Sequence, residues 1–145
     1  MKNKFIKVLY VNIPNAREIG WVEKYKHGYK VANVPMCPDL NIDDIVEIEK
    51  SKDDFPLITN IKEIQFQSKT MFGYKEIADF RQLDKEFSNL GGKVEGFKVP
   101  EVIDGKYFDG VAVLASNLDK TEIKKILKKY GAKIFNHEKR KKART

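Results

Sequence analysis

The sequence predicts an α+β fold, in which a small antiparallel β-barrel-like N-terminal half precedes a ferredoxin-like βαββαβ half. The first part holds four or five short β-branched and aromatic segments joined by tight turns. The later part holds two segments with apolar residues at helical spacing, each flanked by strand-like residues. We therefore expect a β-rich half at 1–67, a ferredoxin-like α+β half at 68–138 and a disordered basic tail at 139–145.

The N-terminal strands are predicted from β-branched and aromatic runs that turn signals separate. Trp21 is the heaviest side chain of the second run, and Lys26-His27-Gly28 marks the turn that follows it. Pro35 and Pro38 cannot donate to a strand ladder, so the residues between them are expected to form a loop. The predicted strands are 4–13, 18–25, 29–34, 44–49 and 57–67.

Two helices are predicted in the C-terminal half. Asp79 with Gln82 and Asp119 with Glu122 have the spacing of capping pairs at helix starts. Glycines end both helices, at Gly91-Gly92 and at Gly131. The apolar positions that share one face are Phe80, Leu83, Phe87 and Leu90 in the first helix, and Ile123, Ile126, Leu127 and Tyr130 in the second.

The strands around these helices complete the β-α-β-β-α-β order. The segments 93–99, 107–115 and 132–137 are rich in apolar residues, and Asp104-Gly105 marks a turn before the second of them. The strand before the first helix is predicted within 65–74, with a place in the N-terminal sheet as the alternative for this segment.

Positive charge is concentrated near the C-terminus. The formal charge is +7. Five positive charges follow Glu138, so the rest of the chain carries a net charge of +2. The remaining excess lies on the polar face of the second predicted helix. These two groups are the predicted partner-binding residues: Lys120, Lys124, Lys125, Lys128 and Lys129 on the helix, and Lys139, Arg140, Lys141, Lys142 and Arg144 in the tail.

A basic surface of this kind suits an acidic protein or a nucleic acid bound through its phosphates. A lysine-rich face also keeps a helix soluble, so a solvated surface without a partner is the alternative.

One group of residues would suit covalent chemistry. Cys37 and Asp39 lie in the loop after the third predicted strand, and His27 lies in the preceding turn. A Cys–His pair is the minimum for activating a thiol nucleophile. Because a single cysteine is more often a small buried apolar residue, the sequence favours a protein without catalytic activity.

We expect neither a metal nor a cofactor. His27 and His137 are the only histidines and are far apart in the chain, and one cysteine excludes a cysteine-rich zinc site. Asp39, Asp43 and Asp44 lack the alternating spacing of a calcium loop. The glycines match no phosphate-binding loop.

A ferredoxin-like sheet also carries the RNA-recognition motif, whose third strand has several aromatic residues. The run from Lys106 to Val113 lacks the later aromatics of that strand. Tyr107 and Phe108 are adjacent, so at most one of them can face a base from the open side of the sheet. If the protein binds a nucleic acid, contact between its lysines and the phosphate backbone is therefore the favoured form of binding.

A family pattern lies in two nearby segments, Gly28-Tyr29-Lys30-Val31-Ala32-Asn33-Val34-Pro35 and Asn41-Ile42-Asp43-Asp44-Ile45-Val46. An aromatic-apolar strand ends in Asn-Val-Pro, and an acidic residue precedes an apolar pair. This pattern resembles the bacterial family catalogued as domain of unknown function 4265, from Phe5 to about Phe135. Met36-Cys37 and Asp43 depart from that family, which tends to have an aromatic residue and a glycine there. The resemblance implies a fold, but no function, because the family has no assigned activity.

The sequence thus predicts a non-catalytic binding protein that engages an acidic macromolecular partner through its basic C-terminal helix and tail. A small-ligand regulatory domain is one alternative, and an enzyme using Cys37 and His27 is another. The longest apolar run, 111–115, is far too short to cross a bilayer, and residues 1–4 lack the apolar stretch of a signal peptide. We therefore expect a soluble cytoplasmic protein with no membrane partner, for which a homo-oligomer remains open.

Overall fold

A computed structural model describes residues 5–13, 16–37, 39–52 and 54–140 of the chain. Within these ranges the protein is a mixed α+β structure rich in antiparallel sheet, as the sequence predicts. The chain divides into two compact units, Met1–Phe66 and Gln67–Arg140. Each unit contains its own apolar cluster, so each is described by itself.

Five strands of the first unit close into a barrel. Consecutive strands pair antiparallel, whereas β5 closes the ring beside β1 in parallel, with Leu9 opposite Leu57. The parallel pair follows from the strand number, because an odd ring of alternating strands must leave one pair running in the same direction. The strands are β1 (Phe5–Ile13), β2 (Ala16–Tyr25), β3 (Gly28–Val31), β4 (Ile45–Glu49) and β5 (Leu57–Glu63).

The buried Tyr10 side chain links β1 to Trp21 of β2 and to Asn33, which follows β3. Its hydroxyl lies 2.8 Å from the Trp21 carbonyl oxygen, accepts the Trp21 N–H at 3.1 Å and also contacts Asn33 Oδ1. Burial raises the pKa of Tyr10 above its usual range, so the hydroxyl stays protonated and can donate. The ring covers Gly20, where a Cβ would lie 2.2 Å from it. Asn33, which belongs to the Asn-Val-Pro segment, therefore has a structural role.

Four strands of the second unit form an antiparallel sheet in the order β11-β6-β10-β7. Both helices cover one face of it, where Phe72 of β6 packs with Leu83, Phe87, Ile123 and Leu127 of the helices. The elements are β6 (Ser68–Tyr74), α1 (Ile77–Asn89), β7 (Lys93–Phe97), β10 (Gly110–Ser116), α2 (Lys120–Lys128) and β11 (Lys133–Lys139). Among the described strands β11 pairs with β6 alone, so it is an edge strand.

The predicted strand 107–115 is two strands, with a break at Asp109. Its first part, β9 (Lys106–Phe108), forms a separate hairpin with β8 (Glu101–Ile103). The hairpin turns at Asp104 and Gly105, whose φ values of 50° and 79° match the Asp-Gly signal. A Cβ at Gly73 would lie 2.7 Å from Ile103 and 2.8 Å from Phe108. Because Phe72 faces the helices, Gly73 faces the opposite side, and the hairpin therefore packs there.

The two helix starts differ from each other. The helix α2 begins as predicted, since Asp119 Oδ1 accepts the N–H of Glu122 at 2.9 Å. The helix α1 begins earlier than predicted, with Glu76 at the N-cap, so Asp79 lies within the first turn, where an acidic side chain still favours the helix dipole. Leu90 is 52% exposed because it is the C-cap and follows the helix rather than packing beneath it.

The predicted basic tail at 139–145 begins too early. Lys139 is the last residue of β11 and pairs with Ser68, and the Arg140 N–H donates to the Gln67 carbonyl at 2.6 Å. The backbone ladder with β6 thus continues through the first two residues of the predicted tail and orders them. Lys141, Lys142 and Arg144 lie outside the described residues.

Replacing Gly20 with alanine is expected to destabilise the barrel by about 1–3 kcal/mol, as overpacking does in well-filled cores. The added methyl group would clash with the Tyr10 ring, which cannot move without losing its hydroxyl contacts. Urea unfolding measures the change. If the clash is the cause, the double variant Gly20→Ala/Tyr10→Leu loses less stability than the sum of the two single variants. Additive losses would contradict this explanation.

Candidate functional site

An open groove of about 780 Å³ follows the outer edge of β11 in the second unit. Six consecutive residues, 132–137, line it. Since consecutive strand residues point to opposite faces, this lining places the groove along the strand edge. The helix α2 forms one wall and the turn of the β8–β9 hairpin contributes to the other. We call it the basic groove; its ionisable lining residues are Asp104, Lys106, Lys120, Lys124, Lys128, Lys133 and His137.

Three of the lysines form a stripe along α2. Lys120, Lys124 and Lys128 are four residues apart, so they lie on the same side of the helix. Each interval of four residues rises about 6 Å along the helix axis. The apolar residues Ile123 and Leu127 are buried on the sheet and hold the helix in this orientation. We call Lys120, Lys124 and Lys128 the lysine stripe.

Asp104 is the one acidic residue among the described residues that line the groove, and it forms an ion pair with Lys133. Its carboxylate lies 2.7 Å from the Lys133 amine, which connects the hairpin turn to the start of β11. The hydrogen bond and the charge of Lys133 lower the pKa of Asp104 below its ordinary value. An exposed ion pair of this kind contributes little to stability. The stripe and Lys106 therefore leave the groove with an excess of positive charge.

His137 occupies one end of the groove. Its Nδ1 lies 2.8 Å from the hydroxyl oxygen of Thr70, which is buried on β6 opposite it. Burial lowers the pKa of His137, and the positive charges of Lys120 and Lys139 lower it further. His137 is therefore a neutral group among cations at neutral pH.

The five helix lysines predicted as one binding face have different surroundings. The lysine stripe lines the basic groove, whereas Lys125 and Lys129 are not among its lining residues. The Lys129 amine instead lies 2.9 Å from Glu86 of α1. The hydroxyl of Tyr130 also contacts Glu86, and the bonds from Lys129 and Tyr130 lower the pKa of that carboxyl. Lys129 thus contributes to the contact between the helices, and its part in partner binding stays a prediction.

The structure does not assemble Cys37, His27 and Asp39 into a reactive group. Cys37 is buried in the barrel cluster, and its N–H donates to Glu18 Oε1 at 2.8 Å. His27 is exposed in the β2–β3 turn, where its carbonyl oxygen accepts from Lys62 Nζ at 3.4 Å. Asp39 is exposed in the loop after Cys37. Within the described ranges, no three His, Cys, Asp or Glu side chains form a group that could hold a metal ion.

Tyr107 and Phe108, the two adjacent aromatic residues considered for stacking on RNA bases, lie outside the four-stranded sheet. Tyr107 is 60% exposed on the β8–β9 hairpin, and Phe108 is buried beneath it over Gly73. They therefore occupy opposite faces of a two-stranded ribbon, and neither belongs to the third strand of a four-stranded platform.

Sequence reasoning missed Lys106, Lys133 and His137 as groove residues. The Asp104-Gly105 turn signal places Lys106 at the start of a hairpin strand, but it does not say where the hairpin packs. Lys133 and His137 reach the groove because β11 is an edge strand, which only the sheet order determines.

Comparisons with known proteins give no functional assignment. No family model matches the chain, and no curated protein matches it. A solved structure described as a "novel crystal structure of a hypothetical protein from Neisseria gonorrhoeae" aligns with 100% of this chain and 99% of its own, at 15% identity and a TM-score of 0.49. Across the described ranges, no helix combines the length and apolar character needed to cross a membrane.

Acidification is expected to destabilise the second unit through His137. Because its folded-state pKa lies below the ordinary value of 6.5, the unfolded chain binds more protons as the pH falls through 6.5, and unfolding becomes easier. His137→Gln should therefore lose less stability than the wild type between pH 7.5 and 5.5, measured by thermal unfolding. His27→Gln, in the exposed β2–β3 turn, is the matched control. Equal losses of stability in His137→Gln and the wild type would contradict His137 as the cause of the acid sensitivity.

Proposed function

We propose that the protein is a non-catalytic binding protein that engages an acidic macromolecular partner through the basic groove. The observation that supports this proposal is that five of the described lysines line the groove. Asp104, the one acidic residue among the described lining residues, is paired with Lys133. Like charges held this close repel one another, and an acidic partner relieves that repulsion. The proposal extends to Lys139 and Arg140 at the end of β11 and to the basic residues that follow them in the sequence.

The electrostatics of such a site favour fast and selective association. Exposed lysines keep their water and contribute little binding energy individually, but their combined field attracts an acidic partner from a distance. The same field repels basic surfaces. Binding should therefore weaken as salt is added, since the Debye length shortens to about 8 Å at physiological ionic strength.

We also infer that the first unit is barrel-like and that the second unit is ferredoxin-like. The supporting observation for the second unit is its sheet order β11-β6-β10-β7, with α1 after β6 and α2 after β10. The hairpin β8–β9 is an insertion between the second and third strands of that arrangement. The resemblance to the domain of unknown function 4265 family and the cytoplasmic location stay predictions.

Charge reversal in the lysine stripe is expected to weaken the binding of polyanions about tenfold. We would measure fluorescence anisotropy of labelled polyglutamate and single-stranded RNA over a salt series, with the wild type and Lys124→Glu/Lys128→Glu. A tenfold loss corresponds to about 0.7 kcal/mol per reversed lysine, within the range of exposed charge pairs.

The matched control is Lys85→Glu/Lys125→Glu, which makes the same charge change at two exposed helix lysines outside the groove. It should retain most of the affinity. Equal losses in the two double variants would show that binding follows net charge alone. An absence of salt-sensitive binding to either probe would overturn the proposed function.

A further inference from the structure

We propose that the partner of the basic groove is an extended acidic polypeptide segment, which adds to β11 as a further strand of the sheet. This inference rests on the proposed function and narrows it. An added strand forms main-chain hydrogen bonds with an exposed sheet edge and uses alternate side chains for specificity. The juxtaposition that supports it is a strand edge lying beside the lysine stripe.

The edge of β11 offers a regular row of backbone groups. The Arg140 N–H points to β6, since it donates to the Gln67 carbonyl. Backbone groups of alternate residues point to opposite sides of a strand, so those of Lys139 and His137 point away from β6 and towards the outer edge. No other described strand pairs with that edge.

The spacing of the lysine stripe matches an extended chain. Neighbouring lysines of the stripe are separated by about 6 Å along α2. Two residues of a strand advance about 6.6 Å, so side chains at alternate positions have nearly the same repeat. Acidic residues at every second position of an added strand would therefore each meet one lysine.

The stripe also runs along the strand rather than across it. Lys120 lies near His137, whose pKa its charge lowers, towards the C-terminal end of β11. At the other end, the Ala132 N–H donates to the Leu127 carbonyl at 3.1 Å and brings the end of α2 to the start of β11. The lysines thus follow much of the seven-residue length of β11.

The strand edge favours a polypeptide over a nucleic acid. The edge presents both N–H donors and carbonyl acceptors, and a polypeptide can pair with both. The phosphates of a nucleic acid accept hydrogen bonds but do not donate them, so they cannot pair with the edge carbonyls. Phe135 is 39% exposed in the groove, at a register shift between Ile134 and Asn136, and offers an apolar contact to a side chain between the acidic ones.

The test uses three labelled peptides of seven residues, the length of β11. The first alternates glutamate and threonine, the second has the same composition with the glutamates in one block, and the third is the first with every second amide N-methylated. We expect the alternating peptide to bind at least tenfold more tightly than the other two, and Lys124→Glu/Lys128→Glu to remove this preference. Single-stranded RNA is the fourth probe.

Amide hydrogen exchange of the wild-type protein provides a second, independent measurement. The alternating peptide should slow exchange at His137 and Lys139, whereas the other edge strand, β7 (Lys93–Phe97), should be unchanged and serves as the control.

The outcomes separate this inference from the proposed function. Equal, stripe-dependent binding of all three peptides, or tighter binding of the RNA, without protection of β11, would keep the acidic partner and overturn strand addition. An absence of stripe-dependent binding to every probe would overturn both. Preferential binding of the alternating peptide together with protection at His137 and Lys139 would support strand addition.

Discussion

The burial of Ile123 and Leu127 fixes the rotation of α2, and the arrangement of the groove charges follows from that rotation. Both side chains are essentially inaccessible on the sheet. A shift of one residue would turn the helix by about 100° and expose them, at a cost of about 1.5–3 kcal/mol for each. With the rotation fixed, the lysine stripe lies along β11, and Lys129 lies against Glu86 of α1. Apolar packing, rather than attraction between charges, therefore decides which lysines can meet a partner together.

Local signals predicted the elements of the second unit better than their placement. The helix α2 could be predicted because its apolar spacing, the Asp119 cap and the terminal Gly131 all indicate the same segment. The break at Asp109 could not, because apolar residues continue on both sides of it and conceal the change from β9 to β10. The position of the hairpin depends on the open space above Gly73, about 30 residues earlier in the sequence. Such contacts between distant segments leave no periodic trace.

The candidate site likewise combines residues that the sequence predicts with positions that depend on contacts between distant segments. The lysine stripe was among the predicted residues, but lysines on one polar helix face cannot be told apart until the neighbours of the helix are known. His137 carried no sequence signal of its own; its position follows from the register that places it opposite Thr70. The Cys37 and His27 grouping relied on nearness in the sequence. In the barrel the Glu18 carboxylate instead accepts the backbone N–H groups of Met36 and Cys37, and this fixes the loop for a structural reason.

Lysines beside an edge strand have two consequences that support each other. An exposed strand edge can pair with any extended chain, and proteins commonly protect such edges with lysine, because two copies would bring like charges together. In this protein a second copy joined edge to edge at β11 would place two lysine stripes side by side, so a homo-oligomer through this edge is disfavoured. The same charges attract a strand that carries carboxylates at matching intervals. One set of side chains would therefore disfavour the pairing of two copies at this edge and favour the proposed acidic strand, without a rearrangement of the sheet.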